Sequence, residues 1–97
     1  MAFKEAGGCL CGSVRYSFDR HSVVSAGHCH CVDCQKATGS GKATIVFVPS
    51  ASLEVSGEYR VYAVVGSDGS HVNRGFCPTC GSPIISYVAE QPDVRFI

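Results

Sequence analysis

The chain lacks any long hydrophobic segment. Its 97 residues include no tryptophan and a single methionine, and its apolar residues are spread over short runs. A helix that crosses a bilayer needs about 20 consecutive apolar residues, so the sequence predicts no membrane partner. The first eight residues also lack the apolar core of a secretory signal peptide. We therefore expect a cytoplasmic protein.

An excess of charge of either sign is also missing. Eight basic residues balance eight acidic ones, and the formal net charge is zero. Proteins that bind nucleic acid usually carry a basic stripe or patch that neutralises phosphates. Its absence predicts no nucleic-acid partner, and it argues against a nucleic-acid-binding zinc ribbon as the meaning of the cysteine motifs described below.

Long helical patterns are absent, and short β patterns replace them. Apolar residues recur with a period nearer two than 3.6, which is typical of strands. One short helix is predicted over Val32–Thr38, ending at Gly39. The pattern favours a mainly β fold, a sheet sandwich or tent, in a single domain over residues 1–97. The predicted strands are Val14–Phe18, Ala43–Val48, Leu53–Val55, Tyr59–Val65 and Ile84–Val88.

Cysteine, by contrast, is abundant. A reducing cytoplasm and the odd count of seven both argue against a disulfide framework. A small domain buries a low fraction of its surface and gains stability from a metal staple. The cysteines form three groups along the chain: Cys9 and Cys11; Cys29, Cys31 and Cys34; and Cys77 and Cys80.

Two of these groups together have the four ligands that structural zinc requires. In an extended strand residues i and i+2 point to one side, so we expect a C-x-C pair to aim both sulfurs at one point. Cys77-Pro78-Thr79-Cys80-Gly81 is typical of a zinc knuckle, a tight turn that contributes two thiolates. The sequence therefore predicts a closed zinc site formed by Cys9, Cys11, Cys77 and Cys80.

The middle group offers only three thiolates. Cys29, Cys31 and Cys34 leave one position of a tetrahedron free, which is the pattern of a catalytic zinc. His28, His30 or a cysteine from elsewhere is the alternative fourth ligand, although strand alternation would place both histidines opposite Cys29 and Cys31. A thioredoxin-like redox pair is a further alternative, but no βαβ pattern surrounds the motif.

The order of these motifs resembles the glutathione-dependent formaldehyde-activating enzyme family, which also includes a vertebrate centromere protein. The resemblance extends to residues around the cysteines and covers nearly the whole chain. It implies a mainly β fold of small packed antiparallel sheets, a β-tent, stapled by zinc. It also implies a structural zinc and a catalytic zinc on the two ligand sets above, and it leaves open whether the second site is fully or partly occupied. The similar segments are Gly7–Tyr16, His28–Gly39 and Arg74–Pro83.

The activity implied by the resemblance is the addition of the glutathione thiol to formaldehyde, formally a carbon–sulfur lyase reaction run in reverse. Zinc suits this chemistry because it lowers the pKa of a coordinated thiol and polarises carbonyl oxygens. Glutathione and a small aldehyde are the implied partners. Lys36, Lys42 and Arg74 lie near the motifs as cations for glutathione carboxylates, although each also suits an ordinary solvated surface position.

The chain departs from the family pattern at its C-terminus. Family members continue well past the point where this chain stops, so the family's C-terminal portion is expected to be lacking. The last residues, Val94–Ile97, are predicted to begin a strand that is left unpaired at the edge of a sheet. Such an edge invites pairing with another chain, so we expect a homo-oligomer.

Two functions follow from these observations. The first is a zinc-dependent carbon–sulfur lyase with Cys29, Cys31 and Cys34 at its catalytic centre. The second is a non-catalytic zinc-binding module, a remnant of such an enzyme with a binding or assembly role. The fourth ligand at the three-cysteine site separates them, because an exchangeable ligand favours the enzyme and a protein side chain favours the module.

Overall fold

The structure, a computed structural model, describes residues 3–97. Nine strands and one α-helix follow one another along this part of the chain. The order is β1 (Lys4–Gly8), β2 (Arg15–Asp19), β3 (Ser25–Cys29), α1 (Val32–Thr38), β4 (Ala43–Pro49), β5 (Glu54–Ser56), β6 (Arg60–Val65), β7 (His71–Phe76), β8 (Pro83–Val88) and β9 (Val94–Phe96), with short 3-10 helices at Arg20–Ser22 and Ser50–Ser52.

These strands form two antiparallel sheets. The smaller sheet has the order β1-β2-β5, and the larger one has the order β3-β4-β9-β8-β7-β6. Every described strand pair is antiparallel. The prediction of a mainly β fold of small packed antiparallel sheets is confirmed. Between residues 3 and 97, no helix is long and apolar enough to cross a membrane.

The predicted elements agree with the structure to within about a residue at each end. The helix Val32–Thr38 is confirmed, and it ends at Gly39, which has a φ of 68°. The apolar periodicity missed β1, β3 and β7. These strands contain glycine and polar residues and few adjacent β-branched ones, so their sequences carry a weak strand signal. Pairing with neighbouring strands determines their conformation instead.

The core is small and includes metal-binding residue types. Val14 and Ile85 are fully buried, and they pack beside Ile84, Cys9 and Cys77 in one cluster. Strand β8 and the chain just before β2 contribute its aliphatic members. Because two cysteines of the predicted closed site are part of this core, the packing and the site are one feature of the fold.

The prediction of an unpaired strand at the C-terminus was wrong. Strand β9 lies inside the six-stranded sheet, between β4 and β8. Phe96 pairs with Phe47 on one side and Ser86 on the other, and Ile97 exchanges backbone hydrogen bonds of 2.8 and 2.9 Å with Val46. The edges of the described sheet are β3 and β6. A homo-oligomer through β9 therefore loses its proposed interface, because that strand's hydrogen-bonding groups are already used.

Candidate metal centres and the adjoining cavity

Four cysteines from distant parts of the chain converge at one end of the core. Their sulfurs all lie within 4.8 Å of one another. Sγ of Cys11 is 3.6 Å from that of Cys9 and 3.8 Å from that of Cys77. A tetrahedron of sulfurs around zinc has edges of about 3.8 Å, given a zinc–sulfur bond of about 2.3 Å. Cys9, Cys11, Cys77 and Cys80 therefore have the donor type and spacing to hold a zinc ion.

The first half of this cluster lies in a turn, which corrects the prediction of a strand-borne C-x-C pair. Strand β1 ends at Gly8, and the chain then turns before β2. The N–H of Gly12 donates to the carbonyl of Cys9 at 3.2 Å, and the N–H of Cys9 donates to Val14 at 3.0 Å. The turn, not strand alternation, brings the two sulfurs to one side.

The second half has the knuckle geometry that its sequence predicts. It lies between β7 and β8, where the N–H of Gly81 donates to the carbonyl of Cys77 at 2.8 Å. Gly81 has a φ of 79°, a left-handed conformation that glycine adopts without strain. The N–H of Thr79 approaches the Cys77 sulfur at 3.4 Å. Backbone donors of this kind stabilise a thiolate ligand.

Two serines that sequence reasoning missed support the sulfurs. Ser13 Oγ lies 3.1 Å from Cys11 Sγ and 3.2 Å from Cys77 Sγ, and Ser82 Oγ lies 3.2 Å from Cys80 Sγ. Groups that hydrogen-bond metal ligands tune both their orientation and their basicity. The sequence did carry a signal for these serines. Ser13 stands two residues after Cys11, and Ser82 stands two residues after Cys80.

The electrostatics favour thiolates at two of the four cysteines, Cys80 and Cys9, whereas the pKa of Cys11 is raised. Hydrogen bonds, chiefly from Ser82, lower the pKa of Cys80 to about 5. Burial raises the pKa of Cys9, but hydrogen bonds from the Val14 N–H and from neighbouring side chains outweigh it, and that pKa falls to about 7. Thiolates are the form that binds metal. The surroundings of Cys80 and Cys9 thus suit metal ligands better than they suit neutral thiols.

The three remaining cysteines meet where β3 gives way to α1. Cys29 ends β3, Cys31 caps the helix N-terminus, and Cys34 lies in its first turn. Their sulfurs also lie within 4.8 Å of one another, so this cluster could hold a metal ion as well. Because Cys31 lies beyond the end of the strand, strand alternation does not explain this pairing, and that part of the sequence argument was wrong.

The helix start sets the different environments of its two cysteines. Cys31 Sγ accepts a hydrogen bond from the N–H of Cys34 at 3.3 Å, and this bond is the main cause of the lowered pKa of Cys31. Cys34 is buried, and burial raises its pKa to about 11. The cluster therefore combines one thiol that ionises readily with one that needs a nearby positive charge to ionise.

No fourth ligand joins this cluster among residues 3–97. No further His, Cys, Asp or Glu places a ligand atom in the group. His28 Nδ1 instead lies 3.1 Å from Thr44 Oγ1, and the His30 ring centroid is 6.5 Å from that of His28. The described part of the chain thus brings together three cysteine sulfurs and no fourth His, Cys, Asp or Glu ligand.

The three-cysteine cluster opens onto a large cavity. Its volume is about 990 Å³, at the upper end of the range for small-molecule sites. Helix α1 and strands β4, β7, β8 and β9 contribute its walls, and Gly81 of the knuckle also lines it. Most of the lining is apolar, as at Ile45, Phe47 and Phe96. A small molecule in this cavity would contact apolar walls and lie beside the three cysteines.

One of the three predicted cations lies in this cavity. Arg74, on β7, lines the wall, and its Nη1 and Nη2 atoms are 3.9 and 3.8 Å from Cys34 Sγ. Lys36 and Lys42 are exposed and lie outside the described lining. The structure thus separates a cation that faces the cluster from two that are surface residues.

A sequence profile described as glutathione-dependent formaldehyde-activating enzyme matches residues 4–97. Among solved structures, the chain is similar to a Rhodobacter sphaeroides protein whose crystal structure was determined as a structural genomics target. The TM-score is 0.72 and the identity 22%, over 96% of this chain and 83% of that one. This likeness concerns the fold alone. No curated protein matches the chain.

Proposed function

Because the chain belongs to the glutathione-dependent formaldehyde-activating enzyme family, we propose that it adds a thiol, with glutathione as the thiol, to a small aldehyde such as formaldehyde. In this reaction a sulfur lone pair forms a bond to the carbonyl carbon. The carbonyl π pair moves to the oxygen, which takes up a proton to balance the one lost by the thiol. The product is an S-hydroxymethyl thioether, formally a carbon–sulfur lyase reaction in reverse.

The observation that carries the proposal is the three-thiolate cluster with a free position at the wall of a large cavity. Cys29, Cys31 and Cys34 would hold a zinc ion, which when bound supplies Lewis-acid activation of a thiol or carbonyl. The mostly apolar walls would bury the apolar part of a bound substrate beside the cluster. The alternative of a non-catalytic zinc module calls for a protein side chain at the free position, and none is present in residues 3–97.

The four-cysteine cluster has a different proposed role. It ties the β1–β2 turn to the β7–β8 knuckle. Cys11 and Cys77, which meet in the cluster, are 66 residues apart in the sequence. It has a full tetrahedral donor set, so no position is left for a substrate. We assign it to structure, and because Gly81 lines the cavity, the same staple holds one wall of the proposed active site.

The test is whether the zinc-loaded protein accelerates the disappearance of formaldehyde in the presence of glutathione. Cys31→Ser should abolish the acceleration and lower the zinc content from two ions to one. Serine is a favourable helix N-cap, so this variant keeps the local fold. Lys36→Ala, outside the cavity lining, is the matched control and should leave the rate unchanged.

Two outcomes would contradict the proposal. The first is a wild-type protein with two zinc ions that gives no acceleration with glutathione. The second is a Cys31→Ser variant that has lost its second zinc ion and still matches the wild-type rate. The first result would favour the non-catalytic module, and the second would show that the reaction does not take place at the three-cysteine site.

A further inference from the structure

Arg74 has hydrogen-bond donors that the described residues leave without an oxygen partner. Its guanidinium has five N–H donors. Its contacts are to Cys34 Sγ at 3.8 and 3.9 Å, which are long, and its buried Nε has no partner at all. Buried polar groups in folded proteins are almost always hydrogen-bonded. A half-buried cation in this state indicates a ligand that supplies the missing acceptors.

Arg74 also lacks a carboxylate partner among the described residues. Arg74 is the cation of the described cavity lining, and no carboxylate forms an ion pair with it in residues 3–97. Asp33 and Asp68 line the same cavity but form no ion pair with the guanidinium. These two acids disfavour a multiply charged anion such as a phosphate dianion. A single negative charge next to Arg74 is the better match.

The sheet register places hydroxyl groups on both sides of this cation. Arg74 is paired directly with Tyr62 of β6 and with Ser86 of β8. Residues directly opposite one another in antiparallel strands point to the same face, and all three line the cavity. The row Tyr62–Arg74–Ser86 therefore places an arginine between two residues with hydroxyl groups on the face that lines the cavity. Such a row can donate several hydrogen bonds to one planar anionic group.

We propose that Arg74 binds the carboxylate of a thiol substrate whose sulfur occupies the free position beside Cys29, Cys31 and Cys34. The planar guanidinium matches a carboxylate in a two-bond arrangement. Because its Nη atoms lie next to Cys34 Sγ, the carboxylate and the sulfur of one molecule can reach both groups. The inference rests on the proposed function and narrows its substrates to carboxylate-bearing thiols. Glutathione is one member of this class, and mercaptoacetate is the smallest.

The test is a pair of binding titrations with the full chain, its zinc replaced by Co²⁺ so that thiolate ligation is followed by absorption. Mercaptoacetate is compared with 2-mercaptoethanol, which is similar in size and has no carboxylate. Wild type should bind mercaptoacetate roughly tenfold more tightly or better, as expected for charged hydrogen bonds. Arg74→Gln should remove this preference and leave the affinity for 2-mercaptoethanol unchanged.

Matched variants separate recognition from structure. Arg60→Gln changes an exposed arginine on β6 outside the described lining and should keep the wild-type preference. Arg74→Lys keeps the charge and should retain part of the preference for mercaptoacetate. If Arg74→Gln does not hold metal, the preference measured with Arg74→Lys tests the proposal instead. The proposal is overturned if wild type shows no preference. It is also overturned if the Arg74 variants weaken both thiols equally together with metal binding, because Arg74 would then only balance the thiolate charge.

The same preparations separate this inference from the proposed function. A carboxylate preference without any acceleration of formaldehyde loss would reject the reaction and keep the binding site. Acceleration without a carboxylate preference would keep the reaction and reject the role of Arg74.

Discussion

Ser82, like Ser13, joins the two halves of the four-cysteine cluster. Its Oγ accepts a hydrogen bond from the N–H of Leu10 at 3.1 Å and lies 3.2 Å from Cys80 Sγ. Because the backbone N–H fills an acceptor site, the hydroxyl hydrogen is free to point at the sulfur. The hydroxyl thus stabilises the Cys80 thiolate and fixes the turn that carries Cys9 and Cys11.

We predict that Ser82→Ala shifts acid-induced zinc release from the four-cysteine site to higher pH. The folded-state pKa of Cys80, about 5, lies below its ordinary value of 9.0, so the thiolate persists until the pH falls through about 5. Without the Ser82 hydroxyl the thiolate takes up a proton at higher pH, and protons compete with zinc for thiolates. A chromophoric chelator followed from pH 8 to pH 4 measures the release.

Ser25→Ala is the control for this prediction, since Ser25 is exposed on β3 and its side chain makes no hydrogen bond within the described residues. Its release curve should overlay that of wild type. A Ser82→Ala curve that also overlays wild type would show that the hydroxyl does not support the thiolate.

At the scale of elements, helix α1 depends on the cluster that it carries. Seven residues are too few for a helix to be stable alone in water. Cys31 caps it, and Thr38 Oγ1 donates to the Cys34 carbonyl at 2.8 Å. Cys34 is its buried residue. The helix and the three-cysteine cluster therefore support each other, because each fixes the residues that the other requires.

The turn after β5 packs against the four-cysteine site, and two glycines test this contact. Gly57 and Gly69 both have a φ of 89°, so alanine is strained at either position. A Cβ at Gly69 meets open space, whereas one at Gly57 would collide with the backbone carbonyl of Ser13. We predict a cost of about 1–2 kcal/mol in unfolding free energy for Gly69→Ala. The cost for Gly57→Ala should be about 2–5 kcal/mol.

Denaturant unfolding of the two variants measures the difference. Gly57→Ala should also weaken zinc binding, since Ser13 Oγ contacts two of the ligand sulfurs. Equal losses of stability in the two variants would show that the Gly57 turn can move away from Ser13 at little cost.

At the scale of the whole molecule, the two clusters have unequal importance for stability. Cys9 and Cys77 are part of the buried core, whereas Cys31 is exposed. Metal bound by a core cluster contributes its binding free energy to folding. The core has few fully buried aliphatic side chains, so the fold should depend strongly on that contribution.

We predict that Cys80→Ser lowers the unfolding free energy by more than about 4 kcal/mol, a value typical of a lost metal site. Cys31→Ser, which affects the other cluster, should lower it by less, because the serine still caps helix α1 and the four-cysteine cluster in the core is unchanged. Removal of all zinc by a strong chelator should abolish the cooperative melting transition. Thermal melts with parallel zinc analysis measure all three. An unchanged transition in the zinc-free protein would exclude a structural role for the metal.

The sequence by itself determined the family, the mainly β class, the helix Val32–Thr38 and the grouping of the seven cysteines. These features depend on the spacing of residues that are close in sequence. Backbone geometry determines which of those residues share a face of a strand, a turn of a helix or a tight turn. The predicted metal and catalytic roles of the two cysteine sets remain predictions, although the structure brings the sulfurs of each set together.

Only the tertiary structure decided that β9 lies inside the sheet, that Ser82 bridges two half-sites and that Arg74 faces Cys34 across 40 positions of sequence. Hydrophobic periodicity indicates that a segment is a strand and which face it buries, but not which strand lies beside it. Contacts between distant residues depend on that order of strands. The sequence could therefore offer Lys36, Lys42 and Arg74 as candidate cations. Only the fold shows that Arg74 is the one that lines the cavity.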